Sequence, residues 1–295
     1  MKTVSDKHAH HKRPAVPKGK VLAIGGKESK TTEEETEVQE QNVNFIAEEI
    51  QKRFVEELKG ENPLIAVIPT ASNDPVGAAK DYEKLFAKLG VKNIEVINIK
   101  SRTEASDPAY LKILEKAAGV MFTGGDQLRL TAILGGTPLV QLLKERYTYE
   151  EFIIAGTSAG ASALSTPMIY EGETQGGMLK GDVRITTGLE FVKDVAIDTH
   201  FIARGRIVRM AQAISTNPGC IGIGIEEDTA ILVSKGKMVE VIGSGLVTVV
   251  DGTGITKSTI HQIKTGEAFT VCDLRVDLLS DKETFELPTY DQLHI

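Results

Sequence analysis

The chain has 295 residues, 41% hydrophobic and 25% charged, which is the composition of a globular protein. Its net charge of -7 argues against a general binder of nucleic acids or anionic membranes. Two cysteines, Cys220 and Cys272, are too few for a disulfide framework and fit a cytoplasmic location. Their spacing to the histidines is not that of a metal site. No apolar run is long enough for a membrane span.

The N-terminal segment differs from the rest of the chain. Residues 1–18 are basic and rich in His and Pro, and they lack the apolar core of a secretory signal. We expect them to form a disordered tail. Residues 19–295 are expected to form a single α/β domain, because no repeat or linker divides them.

The first half of the domain alternates apolar runs with amphipathic segments. The apolar runs predict buried strands at 20–24, 64–68, 94–99, 118–122 and 151–155. Helical spacing and capping residues predict helices at 43–59, 74–89, from 107, at 126–134 and at 139–147. This alternation is typical of an α/β fold: a mostly parallel sheet with helices on both faces.

Three glycine turns follow predicted strands: Gly25-Gly26, Gly124-Gly125 and Gly156. In parallel sheets, ligands bind at the carboxyl ends of the strands. We therefore expect all three turns to lie near one functional site.

The second half changes character. A short strand at 195–197 and a helix at 204–215 are followed by apolar runs at 221–225, 229–233, 239–242, 246–250 and 268–277. These runs are separated by turns such as Lys235-Gly236-Lys237. They predict a β-rich C-terminal extension of the sheet.

The most specific motif is Gly156-Thr157-Ser158-Ala159-Gly160, which lies between a buried strand and a small-residue helix. This is the sequence context of a nucleophile elbow, in which the serine sits at a sharp turn and the glycines let strand and helix approach. The helix N-terminus would supply backbone N–H groups for an oxyanion. Ser158 is the candidate nucleophile, and the N–H groups of Ala159 and Gly125 are candidate oxyanion donors.

A nucleophilic serine needs a general base. His200 is the best candidate, because it follows the apolar stretch 195–197 and precedes a helix. His261 lies among polar residues, and His294 is next to the C-terminus.

The orienting acid is expected in Glu226-Glu227-Asp228, which ends an apolar run. Glu227 or Asp228 is expected to reach His200. The chain order of an α/β-hydrolase would instead combine His261 with Asp228 or Asp251.

With these motifs, the chain resembles the cyanophycinases, serine peptidases related to peptidase E. The resemblance runs from about residue 20 to the C-terminus. It rests on the segments 122–127, 156–162, 198–201 and 222–230, together with the arginines Arg204, Arg206 and Arg209.

The resemblance implies hydrolysis of cyanophycin, a poly-aspartate backbone with arginine on each β-carboxyl, to β-Asp-Arg dipeptides through an acyl-enzyme. It implies Ser158 as nucleophile, His200 as base and Glu227 as orienting acid, with Gly125 and Ala159 as the oxyanion hole. It also implies a homodimer, and no cofactor or metal.

The implied substrate site contains Gln127, Asp198, Thr199, Arg204, Arg206 and Arg209. Arginines can bind the substrate's carboxylates through two hydrogen bonds, and Asp198 can bind a guanidinium group. Thr199 departs from the family, which often has glutamine beside the histidine.

Two other functions fit the same residues. One is an α-aspartyl dipeptidase of the peptidase E type. The other is a non-catalytic α/β binding protein that keeps the shape of the elbow.

Overall fold

A computed structural model of the chain describes residues 15–28, 45–172 and 177–288. Most of the expected N-terminal tail and His294 lie outside these residues. The backbone N–H of Lys18 donates a hydrogen bond to the carbonyl of Thr148, so contact with the domain begins just before the first strand.

Seven α-helices are found in the described residues: α1 (Glu49–Glu57), α2 (Pro75–Lys88), α3 (Pro108–Lys116), α4 (Gln127–Leu134), α5 (Pro138–Tyr149), α6 (Ala159–Ala163) and α7 (Ile207–Thr216). The first strands are β1 (Lys20–Ile24), β2 (Leu64–Ile68), β3 (Asn93–Val96), β4 (Gly119–Phe122) and β5 (Ile153–Thr157). They are followed by β6 (Ser165–Thr166), β7 (Met168–Glu171), β8 (Arg184–Thr186), β9 (Val192–Lys193), β10 (Val195–Thr199), β11 (Ile221–Ile225) and β12 (Thr229–Ser234). The last are β13 (Met238–Gly243), β14 (Val247–Asp251), β15 (Lys257–Ser258), β16 (Val271–Cys272), β17 (Arg275–Leu279) and β18 (Thr284–Glu286).

The larger sheet has eight strands in the order β18-β13-β12-β1-β5-β4-β2-β3. The five strands from β1 to β3 in this order are parallel, and the other three pair antiparallel. The expected α/β fold with a mostly parallel sheet is therefore confirmed. Strand β5, which leads into Ser158, lies between β1 and β4 in the interior of the sheet.

The two faces of this sheet have separate hydrophobic cores. Phe54 of α1 and Phe86 of α2 pack on one face, with their ring centroids 5.3 Å apart. Leu114, Leu130 and Leu143, from α3, α4 and α5, belong to the core on the other face. Each of these side chains is fully buried, which stabilises the fold by about 1.5–3 kcal/mol per residue.

The C-terminal strands do not form one extension. Strands β12, β13 and β18 extend the larger sheet, whereas β11, β14 and β17 belong to a six-stranded sheet with the order β17-β14-β11-β10-β6-β9. The two sheets meet at the elbow, because α6 contacts both β5 and β10.

Some element boundaries differ from those expected. Helix α1 begins at Glu49 instead of residue 43, because Glu48 has a left-handed conformation with φ of 60° that no helix can include. The run 268–277 is divided between β16 and β17 at Asp273, where φ is 63°.

In residues 15–28, 45–172 and 177–288, no helix has both the length and the apolar character required to span a membrane. The same residues contain no group of three or more His, Cys, Asp or Glu side chains arranged to hold a metal ion.

Candidate active site

The turn between β5 and α6 is the sharp elbow expected from its glycines. Ser158 has φ of 50° and ψ of −115°. A Cβ on Gly156 would lie 2.5 Å from the carbonyl carbon of Gly160, and a Cβ on Gly160 would lie 2.6 Å from the carbonyl oxygen of Phe122. Only glycines allow β5, α6 and β4 to approach this closely. The serine is partly exposed at the end of the strand.

Ser158 and His200 are in hydrogen-bonding contact. Ser158 Oγ lies 3.0 Å from His200 Nε2, and His200 Nδ1 lies 2.8 Å from Glu227 Oε1. With Nδ1–H donating to the carboxylate, Nε2 accepts the hydroxyl proton of Ser158. His200 follows β10, and its backbone N–H donates to the carbonyl of Gly25 at 3.0 Å.

The electrostatic environment keeps the imidazole neutral and the carboxylate charged. Burial lowers the pKa of His200 and outweighs the hydrogen bond to Glu227, and the positive charges of Arg204 and Arg206 act in the same direction as burial. Burial raises the pKa of Glu227, but hydrogen bonds from His200 and Lys27 reverse this effect, so its pKa is lowered overall. A neutral imidazole beside an ionised carboxylate is the state required of a general base.

The three carboxylates after β11 have different partners. Glu226 accepts hydrogen bonds from the backbone N–H groups of Ile202 and Ala203, and so holds the turn that follows His200. Glu227 binds His200, whereas Asp228 accepts a hydrogen bond from the hydroxyl of Ser244 at 2.6 Å.

The alternative histidine is not brought to Ser158. His261 is exposed and lines a different cavity, together with Ser215, Gly252 and Ser258. Asp251 accepts a hydrogen bond from the backbone N–H of Thr253. The arrangement required by an α/β-hydrolase order is therefore absent among these described residues.

The two predicted oxyanion donors lie in the elbow and in the turn after β4. Ala159 is the first residue of α6, and its N–H therefore has no partner within the helix. Gly125 is exposed, with φ of 140°, and a Cβ there would lie 2.0 Å from the carbonyl oxygen of Ala71. Its neighbour Gly124 faces the serine, since a Cβ on Gly124 would lie 3.4 Å from Ser158 Cβ.

Four of the six predicted substrate residues belong to a buried ion cluster. Asp198, at 2% exposure, accepts hydrogen bonds from Nε and Nη2 of Arg209 and from Nη1 of Arg206. The carbonyl of Thr199 accepts a second hydrogen bond from Arg206, at 2.6 Å. The structure thus pairs Asp198 with arginines of the chain itself, where the sequence analysis expected a substrate guanidinium. A buried arginine needs an anionic partner, and Asp198 supplies one to both Arg206 and Arg209.

The other two predicted substrate residues are more accessible. Arg204 is exposed in the turn before α7, and its backbone N–H donates to the carbonyl of His200 at 3.0 Å. Gln127 is partly buried at the start of α4, and its side chain donates to the carbonyl of Ile169 at 3.1 Å.

A cleft of about 180 Å³ opens beside Ser158 and His200. One wall contains residues that the sequence analysis did not single out, although they follow a glycine turn that it did. Glu28, at 1% exposure, accepts hydrogen bonds from Tyr82 at 2.6 Å and from the hydroxyl of Thr157 at 2.8 Å. Lys27 lies 3.2 Å from Glu227. These residues could have been found from the sequence, because they are polar and directly follow the Gly25-Gly26 turn at a strand's carboxyl end.

The chain is similar to known peptidases over most of its length. The model of "Peptidase family S51" matches residues 37–241. The chain is 32% identical over 273 residues to a cyanophycinase from Geminocystis herdmanii, covering 92% of this chain and 95% of that protein. It is also 32% identical over 277 residues to a cyanophycinase from Synechococcus elongatus, covering 94% and 82%.

A solved structure supports the fold. The crystal structure of a peptidase from an acI-B1 Actinobacterium aligns with a TM-score of 0.62 at 21% identity, covering 93% of this chain and 99% of that one. Together, the family model and the relatives confirm the resemblance found in the sequence. The chain belongs to peptidase family S51 and is a serine-type peptidase.

Proposed function

We propose that this chain is a cyanophycinase, a serine exopeptidase that releases β-Asp-Arg dipeptides from cyanophycin. The observation that carries the proposal is the continuous hydrogen-bonded row Ser158–His200–Glu227 at the carboxyl end of a central parallel strand. The similarity to relatives named cyanophycinase over most of the chain supports the choice of substrate.

The proposed reaction begins with proton transfer from Ser158 Oγ to His200 Nε2, while Oγ attacks the carbonyl carbon of the scissile peptide bond. The negative charge that develops on the carbonyl oxygen is met by the N–H groups of Ala159 and Gly125. Glu227 stabilises the imidazolium without taking its proton.

The tetrahedral intermediate then collapses: His200 passes the serine's proton to the leaving nitrogen, and the bond between carbon and nitrogen breaks. Ser158 then carries the acyl group as an ester. Water, deprotonated by His200, attacks this ester, and the carboxylate product leaves as Ser158 recovers its proton.

For substrate binding, the geometry supports a division of roles. Arg204 is exposed and close to His200, and we assign it a direct contact with a substrate carboxylate. Arg206 and Arg209 are largely buried, at 7% and 3% exposure, so in this proposal they supply positive potential and Asp198 fixes their orientation. In this proposal Gln127, partly exposed at the start of α4, also contacts substrate, whereas Thr199 is buried and contributes through its carbonyl, which binds Arg206.

The test is product analysis by mass spectrometry after incubation with cyanophycin, plain poly-aspartate or casein. We expect β-Asp-Arg from cyanophycin and no release from the other two polymers. Efficient digestion of casein, or no β-Asp-Arg from cyanophycin, would contradict the proposed substrate. The homodimer implied by the resemblance and the cytoplasmic location inferred from the two cysteines stay predictions.

A further inference from the structure

The turn after β1 contacts the site at several points, although the proposed triad includes none of its residues. The carbonyl of Gly25 accepts the backbone N–H of His200 at 3.0 Å, and the carbonyl of Gly26 accepts the backbone N–H of Asp228 at 2.9 Å. Gly26 also packs on the imidazole, because a Cβ at this position would lie 2.4 Å from Cε1 of His200. The turn thus holds the general base beside the loop that carries its acid.

Lys27 follows this turn with φ of 44°, in the left-handed region. Its Nζ lies 3.2 Å from Oε1 of Glu227, which is the same oxygen that His200 Nδ1 contacts at 2.8 Å. The Lys27 side chain is 59% exposed, whereas those of Glu227 and His200 are 16% and 8% exposed. The ammonium group therefore approaches the carboxylate from the solvent side.

We propose that Lys27 is a positioning residue of this site, which holds Glu227 Oε1 in place and offsets part of its negative charge so that His200 stays neutral. The inference rests on the proposed function for its catalytic meaning. In this proposal Lys27 acts through Glu227, whose Oε1 its ammonium group contacts.

Several charged groups surround His200. Arg204 and Arg206, in the turn before α7, disfavour its protonation, whereas Glu227 favours it. Lys27 adds a further positive charge, 3.2 Å from the carboxylate that His200 contacts. Glu28 and Asp81 line the same cleft. Removing one cation from this set should favour the protonated imidazole, so the pKa of His200 should rise when Lys27 is made neutral.

The test follows the titration of His200 by NMR, through its Cε1–H resonance, which is assigned by its absence in His200→Ala. In Lys27→Met we expect the midpoint to move up by about 0.3–0.7 pH unit at low ionic strength, since the lysine is largely solvated. Lys27→Arg keeps the charge and should titrate as the wild type does. Lys59→Met is the matched control, because Lys59 is exposed before β2, at the opposite end of the parallel strands.

Salt gives a second readout that a merely structural lysine would not produce. The difference between Lys27→Met and wild type should shrink at about 1 M salt, where the Debye length is about 3 Å. An unchanged or lowered midpoint in Lys27→Met, or an equal shift in Lys59→Met, would overturn the proposal.

The titration separates this inference from the proposed function. If the shift is found but the protein does not cleave cyanophycin, the role of Lys27 stands and the substrate is wrong. If cyanophycin is cleaved and the titration of Lys27→Met matches wild type, the proposed substrate stands and the role of Lys27 is wrong. In an active enzyme, the acid limb of kcat/KM should move with the NMR midpoint.

Discussion

Among single residues, the separation of three adjacent carboxylates is the most informative feature of the site. Glu226 holds the turn after His200, Glu227 binds the imidazole and Asp228 binds Ser244. Alternation along an extended chain indicated that these side chains would point in different directions, but it left Glu227 and Asp228 as equal candidates. Only the three-dimensional contacts distinguish them.

Replacing Glu227 by Gln should therefore damage the enzyme more than replacing Asp228 by Asn. An amide cannot stabilise the imidazolium that forms when Ser158 loses its proton, so kcat should fall about 10²–10⁴-fold in Glu227→Gln with little change in KM. Steady-state kinetics on cyanophycin measure both constants. If Glu227→Gln lowers kcat only slightly and Asp228→Asn lowers it strongly, Asp228 is the orienting acid.

The pH dependence should report His200. Catalysis needs the neutral imidazole, so activity is present above the pKa of His200 and is lost as the pH falls through it. Burial lowers this pKa from its ordinary value of 6.5. The acid limb of kcat/KM should therefore have its midpoint below 6.5. A midpoint above about 7 would contradict a neutral, desolvated base.

At the scale of elements, the site depends on close approaches that glycines permit. The turn after β1 packs its backbone on the ring of His200, and the elbow packs α6 on β4 and β5. The glycine pairs and the surrounding apolar runs allowed these turns to be predicted from the sequence. Their contacts could not be predicted, since Tyr82 and Glu28 are 54 residues apart in the chain.

Gly26→Ala tests the first of these contacts against a matched control. Gly26 and Gly60 have nearly the same positive φ, 100° and 98°, so the φ of either should cost an alanine about 1 kcal/mol of stability. A Cβ on Gly26 meets the imidazole, whereas none of the surrounding atoms lies within 4 Å of one on Gly60.

We expect Gly26→Ala to lose about 10²-fold in kcat because the imidazole must move, and Gly60→Ala to keep wild-type turnover. Thermal unfolding and steady-state kinetics measure the two effects separately. Equal turnover in the two variants would show that the turn does not position His200.

The turn and helix after β10 offer another contrast. Arg209 is buried and bound to Asp198 through two hydrogen bonds, so Arg209→Ala leaves a buried carboxylate undercompensated and should lower the free energy of unfolding by about 3–5 kcal/mol. Arg204 is exposed, and Arg204→Ala should change this free energy by less than about 0.5 kcal/mol while raising KM. Urea unfolding measures the stability difference. If Arg209→Ala keeps its stability and has a raised KM, Arg209 binds the substrate directly.

For the whole molecule, the alternation of strands and helices was sufficient to predict a mostly parallel sheet with the site at its carboxyl edge. It was not sufficient to assign the C-terminal strands to two sheets. Strands β11 and β12 are both mostly apolar and largely buried, yet β11 pairs with β10 and β12 pairs with β1. A buried strand has the same pattern in either sheet, so its partner is decided by long-range packing.

The most direct measurement of the central claim is the release of β-Asp-Arg from cyanophycin by wild type and by Ser158→Ala, quantified by mass spectrometry. Ser101→Ala, a change at an exposed serine, is the matched control. We expect wild type and Ser101→Ala to release the dipeptide at the same rate, and Ser158→Ala to be slower by about 10⁴–10⁶-fold with an unchanged thermal unfolding curve. Turnover near the wild-type rate in pure Ser158→Ala would contradict the assignment of Ser158 as the nucleophile.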